Sequence, residues 1–247
     1  MENPRTKLSS RQFESYKVHY PCNMVIVRIA EKDIITPSGI NVGFNENVQY
    51  AEGEDNHIAN CATTNGVIVK QVEKLYYHRT DVVRSMSWKT TLETKIGDTV
   101  FFHHLASKNC SEIDVEGVIH KVICYEDLLV AKRDIRMSEF DGKKRQEVIC
   151  LNGNVILQEV FKDKLSWLDI SEPEVDKFKG IVKYNGSDNE EYQAREVADF
   201  TGLKVGEFVM VDERSYPFYL ERSRWNSEFD QGNQYLVSQK RHINAVI

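Results

Sequence analysis

Two stretches of this chain, TKIGDTVFFHH around Gly97 and LKVGEFVMVDE around Gly206, read as one device written twice. Gly97 and Asp98 stand just ahead of an apolar run. There Gly tolerates φ > 0 and Asp can bond nearby backbone amides, so the stretch predicts a tight turn feeding a strand. Along that strand Val100 and Phe102 are expected to alternate with Thr99 and Phe101. Other runs repeat with it: GVIVKQV is echoed by GIVKYNG, and YEDLLVAKR by KRHINAVI. The offsets, 114 residues from Gly66 to Gly180 and 109 from Gly97 to Gly206, are close enough to imply one unit used twice. A unit this long has strands enough for its own core, so two tandem domains are expected rather than a solenoid.

The strand signature of β-branched and aromatic residues marks MVIVRIA (24–30), GVIVKQV (66–72), DTVFFHHL (98–105), GVIHKVICY (117–125) and LLVAKR (128–133). It resumes in EVICLNGNVILQEV (147–160), GIVKYNG (180–186), EFVMVDE (207–213), QYLVSQ (234–239) and INAVI (243–247). Between the two series, KRDIRMSEFDGKKRQE (132–147) is charged and poor in apolar residues, and reads as a linker or boundary. Helical signal is scarce. SDNEEYQAREVADFTG (187–202) has a Ser187 cap, Tyr192, Val197 and Phe200 roughly on one side, and Gly202 as a stop. Residues 9–17 offer a second short helix. Many short strands with few helices predict an all-β barrel or sandwich class.

Composition narrows the function classes. Apolar residues make up 41% and charged residues 28%, as in ordinary globular proteins, and the net charge of −6 argues against nucleic acid or an anionic membrane as main partner. The opening MENPRTKLSSRQF lacks an apolar signal region, and five widely spaced cysteines do not suggest a disulfide framework. A soluble, cytoplasmic protein is expected.

TPSGINVGF (36–44) sets apolar Ile40, Val42 and Phe44 inside a polar stretch without helical or strand period. From roughly Asp33 to Asn65 the segment exceeds the ~12–15 residues beyond which structureless loops are usually functional or disordered. A loop that orders only on a partner binds modestly and releases readily.

The pieces MVIVRIAEKD, PSGINV, GVIVKQV, KIGDTVFFHH and EIDVEGVIHKVICYEDLLVAKR, in that order, resemble the GroES co-chaperonin family over roughly residues 22–133. GIVKYN, LKVGEFVMV and INAVI carry a weaker resemblance in the second half. The resemblance implies two tandem, partly open GroES-like β-barrels with few or no helices. They would comprise an N-terminal arm (1–21), a first barrel (22–133) with a mobile loop (33–65), a linker (134–147) and a second barrel (148–247). It also implies a non-catalytic lid that needs no cofactor or metal, caps a nucleotide-bound GroEL-type chaperonin ring, assists ATP-dependent protein folding and self-associates into a ring or dome. Several loops binding together would make a firm but reversible cap. On this resemblance Gly39 is the turn glycine, and Ile40, Asn41 and Val42 occupy the chaperonin-binding tripeptide, which departs from the family pattern at Asn41. The equivalent second-half segment, FKDKLSWLDISEPEVDKFK (161–179), has no Gly-Ile-x-Val. It offers Leu165, Trp167, Leu168 and Ile170, either as an alternative anchor or as a packed loop with Trp167 covering the barrel edge.

Other constellations point away from catalysis. His103, His104, Cys110 and Asp114 match no compact metal-site spacing, and adjacent strand histidines face opposite ways. No G-x-G-x-x-G fingerprint, P-loop or G-x-S-x-G occurs. DERSYPFYLERSRWNSEF (212–229) interleaves arginines with aromatics, but Asp212, Glu213, Glu221 and Glu228 sit among them, so a long β-hairpin or a subunit interface is expected. LYYHRTDVVRSMSW (75–88) falls where the family has its roof segment. The alternative to a co-chaperonin is a structural or assembly protein, such as a phage virion component, that reuses the double barrel.

Overall fold

The computed structural model describes residues 5–18, 23–29, 34–35, 41–42, 64–79, 86–90, 92–136, 144–162, 174–186, 203–212, 218–220, 229–230 and 232–247. The chain divides into two compact units, Met1–Val148 and Ile149–Ile247. The structure is mostly β, in two main sheets, one of eight strands and one of six.

In the first unit β1 (Arg5–Leu8) and helix α1 (Ser10–Ser15) precede β2 (Met24–Arg28), β3 (Ile34–Ile35), β4 (Asn41–Val42) and β5 (Asn65–Gln71). The hairpin β6 (Leu75–Arg79) and β7 (Met86–Thr90) follows, then β8 (Thr99–Phe102), helix α2 (His104–Asn109), β9 (Ser111–Val115), β10 (Val118–Cys124) and β11 (Leu128–Arg136), and β12 (Lys144–Cys150) runs across the boundary at Val148. The second unit holds β13 (Asn154–Phe161), β14 (Val175–Asn185), β15 (Phe208–Val211), β16 (Phe218–Tyr219), β17 (Tyr235–Gln239) and β18 (Ile243–Val246).

The sheet order β9-β10-β2-β5-β8-β11 in the first unit matches β16-β17-β13-β14-β15-β18 in the second, strand for strand. The register matches as well. Val27 pairs with Lys121 on one side and Ile68 on the other, as Leu157 pairs with Leu236 and Val182. Both ladders shift register just before these pairs, between Ile26 and Val27 and between Ile156 and Leu157, where β5 and β14 each carry one extra residue, Val69 and Lys183. A second irregularity recurs where β8 meets β11 and β15 meets β18. Because a bulge shifts every later side chain to the other face, two bulges in the same places fix the same core twice.

The glycine turn is duplicated to the level of single bonds. Gly97 (φ 97°) donates to the Ile68 carbonyl at 2.9 Å, and Gly206 (φ 94°) to the Val182 carbonyl at 2.8 Å. The Asp98 carboxylate accepts from the Lys95 N–H at 2.7 Å, and Glu207 from Lys204 at 2.8 Å. The acidic side chain thus satisfies a turn amide that would otherwise lack a partner.

Several expectations are corrected. Along β8, which lies between β5 and β11, Val100, Phe101 and Phe102 are all buried and Thr99 is half-buried, so the expected alternation is not visible as alternating exposure. EVICLNGNVILQEV is two strands, broken where Asn152 (φ 54°) and Gly153 (φ 71°) turn the chain. The expected linker 134–147 is strand at both ends, Asp134–Arg136 closing β11 and Lys144–Glu147 opening β12. The predicted helix at 187–202 lies outside the described residues. The one at 9–17 is α1, closed by a capping box in which Ser9 and Gln12 satisfy each other's backbone N–H.

Candidate functional site

The loop that the resemblance singles out leaves one strand and returns on its neighbour. β2 and β5 are antiparallel, Arg28 facing Val67. Beyond that pair the stem is held by backbone bonds, Ile29 N–H to the Ile119 carbonyl at 3.1 Å and Phe102 N–H to the Thr64 carbonyl at 2.9 Å. Between these anchors β3 and β4 form an antiparallel ribbon with Ile34 facing Val42 and Ile35 facing Asn41. The sequence shows no strand period there, yet Asn41 and Val42 sit in a strand whose partner lies six to eight positions back. Gly39 and Ile40 lie outside the described residues.

The second loop leaves from the equivalent place, between β13 and β14. Its stem is closed by Lys162 N–H to the Glu174 carbonyl at 2.8 Å, and by the Lys162–Glu174 ion pair at 2.6 Å. β14 already begins at Val175, so the loop is shorter than the 161–179 read from sequence. Leu165, Trp167, Leu168 and Ile170 lie outside the described residues.

The segment 75–88 is a hairpin, β6–β7, which the sequence reading did not resolve. Asn23 fixes its base: the side-chain amide donates to the Tyr76 carbonyl at 2.8 Å and accepts from the Tyr76 N–H at 2.7 Å. Leu75 is buried beneath it.

The residues weighed for chemistry are engaged separately. His103 does not lie on a strand, because the chain turns there into α2 and its Nδ1 accepts from the Leu105 N–H at 3.2 Å as the helix cap. His104 opens the same helix. Cys110 donates its thiol to the Ser107 carbonyl at 3.1 Å, and Asp114 holds the Gly117 N–H at 2.8 Å in the β9–β10 turn. Among the described residues no three His, Cys, Asp or Glu side chains gather as a metal site.

One pair has the form of a nucleophile and base. Lys121 Nζ lies 2.8 Å from Ser107 Oγ and 3.7 Å from Glu112. Ser107, Lys121 and Glu112 are 1%, 2% and 3% exposed, so no substrate reaches the hydroxyl. The ammonium instead donates to the Ser107 hydroxyl and carbonyl and faces the Glu112 carboxylate, an arrangement that ties α2 to the sheet.

In the segment 212–229, Phe218–Tyr219 form β16 against β17, while 213–217 and 221–228 lie outside the described residues. Phe229 is buried against Tyr184 and Tyr235, with ring centroids 5.8 and 5.7 Å away. Burial, together with the hydrogen bond to Asp230, raises the Tyr235 hydroxyl above the usual tyrosine range.

No protein-family model matches the chain, and no curated protein matches it. Among the described residues no helix is long and apolar enough to cross a membrane.

Proposed function

We propose that the protein is a non-catalytic co-chaperonin whose loops dock on a nucleotide-bound, GroEL-type ring and close its chamber. The observation that carries this reading is the pair of equivalent loops. Each unit sends one out between the same two strands of the same sheet order, and the first holds Asn41–Val42 in a short ribbon above a stem pinned at both ends. A rigid stem bearing a short recognition strand suits binding that must be strong in sum and weak per loop. Gly39, Ile40, Asn41 and Val42 are the proposed contacts, with Leu165, Trp167, Leu168 and Ile170 on the second loop.

Assembly into a ring or dome belongs to the same reading. β11 has β12 as its outer neighbour, whereas the equivalent β18 ends its sheet among the described residues and leaves Val246 and Ile247 exposed. An open edge of this kind can take a strand from a second copy.

The test is co-purification with a chaperonin ring with and without ADP. Nucleotide-dependent capture that Ile40→Ala or Val42→Ala weakens supports the proposal. Absence of capture with either nucleotide state overturns it and leaves the structural or assembly role as the reading. That role is favoured by the N-terminal arm, which β1 seats on the β9 edge.

A further inference from the structure

We propose that the N-terminal arm, residues 5–18, is an exchangeable clasp, and that its seat on the first unit accepts the same arm from a second copy of the chain. The inference is independent of chaperonin binding.

The arm lies on the sheet as an added piece. β1 runs parallel to β9, pairing Arg5 with Glu112 through to Leu8 with Val115, and so covers what would otherwise be a sheet edge. Arg5, half exposed, donates from Nε and Nη2 to the buried Glu112 carboxylate at 2.9 and 2.6 Å. α1 buries no residue fully. Its hold comes from Phe13, packed on His120 at a 42° tilt with centroids 4.6 Å apart, and under Lys70 Nζ at 4.8 Å. Lys70 also receives the end of the helix, donating to the carbonyls of Glu14 and Tyr16 at 2.9 and 2.7 Å. Leu8, Phe13 and Val18 are only partly buried against Ile26, Ile113 and Val115. A segment attached by a few half-buried contacts opens more easily than the sheet beneath it.

The second unit shows that the seat does not require this segment. By register, Tyr235 stands where His120 stands, each next to the residue paired with Leu157 or Val27, and Tyr184 stands where Lys70 stands. Phe229 packs on both, as Phe13 packs on His120 and Lys70. One sheet position is therefore covered by an aromatic ring that arrives from the N-terminus in one unit and from just before β17 in the other. The fold demands the ring and is indifferent to its route.

Charge and connection favour a second copy as the source. Residues 5–18 carry Arg5, Lys7, Arg11 and Lys17 against Glu14 alone, whereas the whole chain is at −6, so a released arm is drawn by net charge to another copy of the acidic chain. The arm joins β2 only through residues 19–23, a five-residue connector that contains Pro21. Short connectors of this kind are where identical elements exchange between protomers.

The experiment uses two full-length chains, one Lys7→Cys and one Asp114→Cys. These positions are register partners across β1 and β9, within disulfide reach, and neither belongs to the buried Glu112–Lys121 pair. The chains are co-refolded and oxidised, and a disulfide joining position 7 to position 114 is mapped by mass spectrometry. In the mixture that linkage forms only between copies. It is expected to appear, to rise with protein concentration, and to fall several-fold when Phe13→Ala is added. If the doubly substituted chain closes the linkage within its monomer while the mixture gives none at any concentration, the clasp is purely internal and the proposal fails. It fails equally if neither preparation forms the linkage, or if Phe13→Ala leaves the yield unchanged.

Discussion

Arg133 grips Asp98 with two parallel hydrogen bonds, Nε to Oδ1 at 2.9 Å and Nη2 to Oδ2 at 2.7 Å. The same Nη2 donates to the Glu93 carbonyl at 2.9 Å, and the Glu93 N–H donates to Tyr125 Oη at 3.0 Å. The glycine turn, β11 and the segment before the turn are thereby locked together. The hydrogen bonds to Asp98 hold the guanidinium above its usual pKa. Asp98 is 3% exposed, so Arg133→Met leaves a buried carboxylate without its partner and should cost roughly 3 kcal/mol. At the equivalent position Glu207 is half-buried and, among the described residues, its side chain makes the local turn bond without an arginine partner, so Glu207→Gln should cost less than about 1 kcal/mol. Urea unfolding of the two variants measures the difference.

Gly66 and Gly180 should resist substitution for a reason distinct from that at Gly97. A Cβ on Gly66 would meet the Arg28 carbonyl oxygen and Val27 Cγ1, both at 2.6 Å, and one on Gly180 would meet Leu157 Cβ at 2.8 Å. Backbone cannot swing aside as a side-chain end can, so Gly66→Ala should destabilise by about 2–3 kcal/mol. At Gly97 space is open and only the positive φ opposes alanine, at about 1–2 kcal/mol. Thermal melts of Gly66→Ala and Gly97→Ala should rank in that order, and the reverse would mean that β2 and β5 can separate at little cost.

The glycines explain why the repeat is legible in the sequence. Gly66, Gly97, Gly180 and Gly206 are positions where geometry leaves few choices, so their spacing carried the duplicated sheet into the sequence. The strands β1 and β9 were harder to see. RTKL and SEIDV are short, charged edge pieces whose pairing depends on a partner more than 100 positions away. The Asn152–Gly153 turn sat inside an apolar run and was read through, although Asn-Gly is a strong turn signal. Phe13 and Phe229 could not be matched from sequence at all. They reach equivalent seats from different places in the chain, and no fixed offset relates them.

Acid should loosen the seat of the arm. Burial is the main cause that lowers the His120 pKa. Arg28 lowers it further, against donation to the Val118 and Ile113 carbonyls, which raises it. The unfolded chain therefore takes up a proton on His120 at a higher pH than the folded one. Stability from this group is intact above the ordinary histidine range near ~6.5, and it is lost as pH falls toward the depressed folded value. The charged groups nearby are mixed in sign: Arg28 on β2, Lys70 on β5 beyond Phe13, and Lys121 with Glu112 on β10 and β9. Comparing the wild-type and His120→Gln chains by denaturant unfolding between pH 7.5 and 5 should show a steeper fall in stability with falling pH for the wild type. Equal slopes would assign the acid sensitivity to another group.

Asn41 is the position at which the co-chaperonin proposal is most exposed to test. It pairs with Ile35 in the β3–β4 ribbon, and its polar amide occupies the middle of the proposed tripeptide. If that ribbon docks on an apolar surface, an apolar side chain at position 41 adds contact without altering the backbone pairing. Asn41→Leu should then tighten binding to a nucleotide-bound ring by roughly tenfold per loop, the effect of about 1.4 kcal/mol of added burial. With several loops engaged at once the gain multiplies through a slower release rate, which biolayer interferometry on an immobilised ring reads directly. Val42→Ala should act in the opposite direction. A chain in which Asn41→Leu and Val42→Ala both leave release unchanged does not use this ribbon as its anchor.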